Sequence, residues 1–250
     1  MAENTKIEWA THTFNPWFGC TAISRACDFC YAETWAKRSG LVQWGNHPRR
    51  LASDTNWRKP YKWAKQAQHA PPSNYSEASR FRPRVFCASL ADVFDNQAPQ
   101  EWRERLWQVI RDTPELDWLL LTKRPQNIMD MIPRVWQPGL PSHIWVGVTA
   151  ENQTEYDRRM NYLQDVPASV HFVSYEPALG PLKIGHRSFP NWIICGGEDR
   201  VREGREMDLQ WARDLRDECK PRGVAFYFKQ TNGKSEIPPD LMVREFPRAT

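Results

Sequence analysis

The sequence predicts an α/β fold, a full or partial TIM-like (β/α) barrel, and two observations carry that expectation. Short runs rich in β-branched and aromatic residues recur along the chain, mostly without polar alternation, as strands covered on both faces do. Between them lie segments whose apolar residues repeat at helical spacing. In order, a first strand is expected near Phe14–Phe18, then Arg84–Leu90, Asp117–Thr122, His143–Thr149, Val170–Ser174, Trp192–Gly197 and Val224–Gln230. The last six begin roughly 22 to 33 residues apart, room for a strand and a returning helix. Trp102, Leu106, Val109 and Ile110 share one helix face, and Tyr156, Met160 and Leu163 another. Ala212, Leu215 and Cys219 form a third, with Asp208 as its N-cap. About seven βα units follow in a single domain, 1–250, with a doubly wound open sheet as the runner-up. The interval from Ser39 to Arg82 breaks the rhythm and reads as an irregular basic and aromatic insertion, at about 39–82.

Composition narrows the classes. Hydrophobic residues make up 40% of the chain and include 13 tryptophans, enough for a sizeable core. A mean hydropathy of −0.71, with no long apolar run, excludes a membrane-spanning helix. Residues 1–15 contain no basic segment followed by an apolar one, so a cytoplasmic, reducing compartment is expected. The net charge of +4 selects no partner by itself.

Half of the 6 cysteines, Cys20, Cys27 and Cys30, crowd into "FGCTAISRACDFCYAE". In a reducing compartment, clustered thiols point to metal more than to disulfides, and an odd trio cannot pair internally. Spacing alone leaves two centres open. One is an iron–sulfur cluster; the other is zinc, with His12 or His47 as fourth ligand.

Chemistry on barrels collects where strands end and loops begin, and the strand ends here are polar. They carry Ser89 and Asp92; Thr122, Lys123 and Arg124; Glu151 and Asn152; Ser174 and Glu176; Gly196, Gly197 and Glu198; and Lys229 and Gln230. The cysteines follow the first strand and so share this rim. Each residue also has a plainer reading: Asp92 as a helix cap, Glu176 as a turn residue before Pro177, Lys123 and Arg124 as a solvated face. Gly196 and Gly197 would let backbone approach a ligand closely.

The cysteine loop, with Phe29 directly before its last cysteine, resembles that of radical S-adenosylmethionine enzymes. Its spacing departs from the commonest pattern, with six residues rather than three between Cys20 and Cys27. More closely, the chain resembles a phage-associated three-cysteine-motif family of radical-SAM-like proteins. The shared segments include "KIEWATHTFNPWFGC", "CDFCYAE", "SLADVF", "LLLTKRP", "GVTAENQ", "SYEPALGPL", "WIICGGE" and "FYFKQ", and they span nearly the whole length. The resemblance implies that Cys20, Cys27 and Cys30 hold a 4Fe–4S cluster. It further implies that S-adenosylmethionine chelates the open iron, and that a one-electron reductant drives formation of a 5′-deoxyadenosyl radical. Cofactor contacts are then expected from Phe29, Ser89, Asp92, Thr122, Lys123, Arg124, Glu151, Glu176, Gly196, Gly197 and Glu198. Asp92 and Ser89 would take the methionyl ammonium, and Lys123 and Arg124 the carboxylate.

Arg49 to Lys65 carries six basic residues against one acidic, interleaved with Trp57, Tyr61 and Trp63. Cations that track phosphates beside aromatics that stack on bases suit a nucleic-acid partner. Arg49, Arg50, Trp57, Arg58, Lys59 and Lys62 are the expected contacts, with Arg80, Arg82 and Arg84 adding charge. The substrate implied by the family is a nucleotide base in DNA. The alternative is a zinc-stabilised nucleic-acid-binding protein without catalysis. Cys87, Cys195 and Cys219 read as buried small hydrophobes, with a hydrogen-donor role for Cys195 as the sharper option.

Overall fold

The computed structural model describes residues 3–69, 82–185, 189–199 and 204–247. Seven strands form one parallel sheet: β1 (His12–Phe14), β2 (Arg84–Cys87), β3 (Asp117–Thr122), β4 (Ile144–Thr149), β5 (Val170–Tyr175), β6 (Trp192–Gly196) and β7 (Ala225–Gln230). Their spatial order is their chain order, and each neighbouring pair runs parallel. A doubly wound sheet would reverse its order part-way and carry helices on both faces. Neither holds here. The fold is a curled half-barrel, as a partial TIM-like architecture requires.

Alternation along the strands divides the core in two. Val85, Cys87, Trp118, Leu120, Val146, Val148, Val173, Ile193 and Phe226 face outward and pack with the helices. These helices are α1 (Tyr31–Ser39), α2 (Lys59–His69), α3 (Gln100–Arg111), α4 (Gln153–Leu163) and α5 (Leu209–Cys219). The expected faces of α3, α4 and α5 are the buried ones, though Trp102 packs only partly against them. Asp208 caps α5 by accepting the N–H of Gln210 at 2.8 Å. The intervening positions Phe86, Leu119, Trp145, Phe172, Trp192, Ile194 and Tyr227 form an inner aromatic cluster with Trp9, filling the hollow near the strand starts. Further along the same inner face the alternation reaches Gly147, Thr149, Ser174, Gly196 and Lys229, which are smaller or polar. The hollow is thus packed at one end and polar at the other.

Two expectations need correction. The first strand is His12–Phe14, and Trp17–Phe18 instead pairs antiparallel with Arg50–Leu51 in a small ribbon. Pro16 has no N–H for a ladder. Asn15 turns its side chain across to β2's exit, accepting the N–H of Leu90 at 2.7 Å and donating to Ser89 Oγ at 3.0 Å. The same contacts end β2 at Cys87 rather than Leu90. Within the 39–82 segment, residues 40–49 form no helix or strand, while Asp54–Trp57 and α2 are helical, with Trp57 and Trp63 each only 1% exposed. Residues 70–81, with most of the "APPSNYSEASRFRP" run and Arg80, lie outside the described residues. Among the described residues no helix is long and apolar enough to cross a membrane.

Candidate metal and cofactor site

Parallel strands place all seven carboxyl ends on one rim, and the cysteine segment crosses it. Gly19 enters this segment at φ +105°, a conformation that favours glycine, and an added Cβ would sit 3.1 Å from side-chain atoms of Arg49 and Val42. A single 3-10 turn, Arg25–Cys27, carries the second cysteine, and the N–H of Cys30 donates to the Cys27 carbonyl at 3.2 Å.

Rim carboxylates hold this loop at three points. Asp92, at the exit of β2, pairs with Arg124 at 3.0 Å. The same guanidinium donates to the Thr21 carbonyl at 3.0 Å and to Cys20 Sγ at 3.5 Å. Asp92 also accepts the Thr122 hydroxyl at 2.7 Å and the Lys123 N–H at 3.2 Å. Glu151, fully buried, pairs with Arg159 at 2.9 Å and accepts the Ala26 N–H at 3.2 Å. Burial opposes its charge, but the Ser24 hydroxyl, Arg159 and the Ala26 N–H outweigh it and lower its pKa. Glu198 pairs with Arg205 at 2.5 Å, and Arg205 continues to Asp28 Oδ2 at 2.9 Å.

The other expected cofactor residues have partners as well. Ser89 bonds Asn15, and its carbonyl accepts the Tyr31 hydroxyl at 2.6 Å. Phe29 lies under Arg205, whose Cζ is 5.2 Å from the ring centre. Glu176 pairs with Lys229 at 2.7 Å and accepts the Ser174 hydroxyl at 3.2 Å. Gly197 approaches protein rather than ligand: an added Cβ would lie 2.7 Å from the backbone N of Asn232. So Arg124 and Glu151, read from sequence as cofactor contacts, bond the cysteine loop directly, and Asp92 and Glu198 reach it through Arg124 and Arg205.

All three cysteines are free thiols. Burial, aided by Asp92, pushes the Cys20 thiol up to about 11 against the opposing pull of Arg124. Among the described residues no three His, Cys, Asp or Glu side chains are gathered as a metal-ligand set. The donors nevertheless suit a thiolate-ligated centre in kind: three soft sulfurs on one rim loop, beside a buried cation. His12 does not suit zinc, because it opens β1 at the opposite end of the sheet and stacks on Trp63 at 4.3 Å. Cys195 packs outward among the helix-side residues, away from the hollow, which removes its hydrogen-donor option; Cys87 and Cys219 are buried as expected.

The expected nucleic-acid stripe divides. Arg49 is buried against Asp95 at 2.7 Å, and Trp57 is core, so neither presents a binding surface. Lys62 pairs with Glu3 at 3.1 Å, and Arg82 with Asp117 at 3.5 Å. Arg50 and Arg58 are exposed and Lys59 half-buried. Sequence reasoning missed Asn15, Tyr31, Asp95, Arg159, Arg205 and Asn232, of which only Asn15 and Tyr31 fall within the shared segments.

A family model described as "Protein of unknown function (DUF5131)" matches residues 4–243. No curated protein matches the chain. Among solved structures, a mutant of spore photoproduct lyase with bound AdoMet and dinucleoside spore photoproduct aligns with a TM-score of 0.51 and 12% identity, covering 91% of this chain and 78% of that one. A second mutant of the lyase aligns at 0.50 and 12%, covering 90% and 78%. At this identity the likeness is one of fold.

Proposed function

We propose that this chain, which belongs to the family described as protein of unknown function (DUF5131), is a radical S-adenosylmethionine enzyme that modifies, rearranges or repairs a nucleotide base in DNA. Cys20, Cys27 and Cys30 would hold a 4Fe–4S cluster, and a one-electron reductant would serve it. When bound, cluster and S-adenosylmethionine supply a 5′-deoxyadenosyl radical that takes hydrogen from the substrate. The chain's own residues order the thiol loop, keep water from the packed end of the hollow and line its polar end. Ser174, Glu176, Gly196 and Lys229 are the inward-facing groups there, and Lys123 lies on the same rim.

The observation that carries this reading is three free cysteines on one loop at the carboxyl rim of an open parallel half-barrel. The resemblance to the phage-associated three-cysteine-motif family supports the cluster. The AdoMet and dinucleoside photoproduct bound to one fold neighbour support the cofactor and a nucleotide or nucleic-acid substrate.

The test is anaerobic reconstitution with iron and sulfide, then incubation with S-adenosylmethionine and a strong reductant. Formation of 5′-deoxyadenosine, lost in Cys27→Ala, is the expected result. A colourless zinc protein that leaves S-adenosylmethionine intact would sink the proposal in favour of a binding module.

A further inference from the structure

Between Cys20 and Cys30 the loop has little order of its own. Its single 3-10 turn lacks a side-chain cap, and three backbone bonds, to the carbonyls of Ser24, Arg25 and Cys27, span Ser24–Cys30. A segment this poor in internal bonds must be ordered from outside if its thiols are to hold fixed positions.

We propose that Arg205 positions the 25–30 half of the cysteine loop, through a guanidinium that joins Glu198, at the exit of β6, to Arg25, Asp28 and Phe29. This rests on reading the cysteines as metal ligands. Nη1 donates to Asp28 Oδ2 at 2.9 Å, and Nη2 donates to the Arg25 carbonyl at 2.9 Å. The same side chain pairs with Glu198 and covers Phe29. Three of the six residues from Arg25 to Cys30 are therefore touched by one side chain from the far end of the sequence.

The root of that side chain is fixed too. The Arg205 N–H donates to Glu198 Oε2 at 2.6 Å, and its carbonyl accepts the Asn232 side-chain amide. Asn232 also accepts the Met207 N–H at 3.1 Å and lies against Gly197. Glu198 and Asp28 outweigh the partial burial of Arg205 and hold it charged. A planar fork can reach two carboxylates and a carbonyl at once; an ammonium on a flexible stem cannot match that geometry. The cation also lies beside a loop that gathers negative charge whenever its thiols ionise around a metal.

The experiment uses the full-length, cluster-free protein under reducing conditions. Hydrogen exchange of residues 21–30 and cobalt(II) titration, followed by its thiolate charge-transfer band, are measured for wild type, R205A and R205K. Arg205→Ala should speed exchange within 25–30 while the thermal midpoint stays within a few degrees. It should also weaken cobalt binding about 10–100-fold, the usual range for losing an outer-shell partner. Arg205→Lys should fall between the two. Unchanged exchange at 25–30 in both variants would overturn the clamp. Cobalt binding that is indifferent to Cys27→Ser would instead overturn the ligand assignment, leaving the exchange arm to decide on Arg205.

Discussion

Arg124 sets its guanidinium between Asp92 and Cys20, 3.0 Å from the carboxylate and 3.5 Å from the sulfur, so the exits of the second and third strands are joined to the first cysteine through one buried cation. Two rim residues that look in sequence like separate ligand contacts are partners of each other.

Arg124→Gln should destabilise the protein by about 3–5 kcal/mol in chemical denaturation, because the carboxylate of Asp92 would stay buried without its cation. The double change with Asp92→Asn should cost clearly less than the two single changes summed. Additive losses would show that the two side chains act independently.

Asp117 gives a pH signature at the other end of the sheet. Burial pushes its carboxyl up to about 6, against the opposing pull of Arg82. The folded state therefore binds the proton more tightly than the unfolded one, and stability is lost as pH rises from about 4 to about 6. The loss is at most ~3 kcal/mol for a shift near two units. Asp117→Asn should flatten this limb in urea titrations across that window.

Glu151 has the opposite sign. Its folded pKa lies below the ordinary value of 4.5, so its contribution is complete above that value and is lost as pH falls through the folded pKa. Glu151→Gln should reduce stability at pH 7 and make acid unfolding less steep below pH 4.5. Glu151→Ala, which removes the acceptor, should free the Ala26 amide, readable as faster exchange at that residue.

Gly197→Ala should destabilise by at least ~1–3 kcal/mol, since the new methyl group meets the backbone of Thr231 and Asn232. Asn232 bonds Arg205, so the same substitution should speed exchange in the cysteine loop. Faster exchange confined to 197 and 231–232 would count against that link.

The basic segment yields a contrast between stacking and packing. Trp57→Ala should cost about 3–5 kcal/mol of stability, as for other buried aromatics. If nucleic acid binds here, it is through Arg50, Arg58 and Lys59. Replacing Arg50 and Arg58 together should lower the salt slope of duplex DNA binding by about 2, with little loss of stability. An unchanged slope would move the interface elsewhere.

The sequence by itself determined the α/β class, the run of strands and helices, and the thiol loop; the strand order chose the half-barrel. Unbroken apolar runs such as that in Asp117–Thr122 and helix faces such as Ala212, Leu215 and Cys219 are local patterns, and burial follows from them directly. The cysteine cluster is local as well. It could not show that His12 belongs to the opposite end, that Trp57 and Arg49 are buried, or that Gly197 faces Asn232. Those facts depend on which segments meet across the sheet: Arg205 and Asp28 are 177 positions apart, and Arg124 and Cys20 are 104 apart. A charge on a strand end looks the same in sequence whether it meets solvent, ligand or another charge. Only tertiary packing, which decides the partner and excludes the water, told these cases apart.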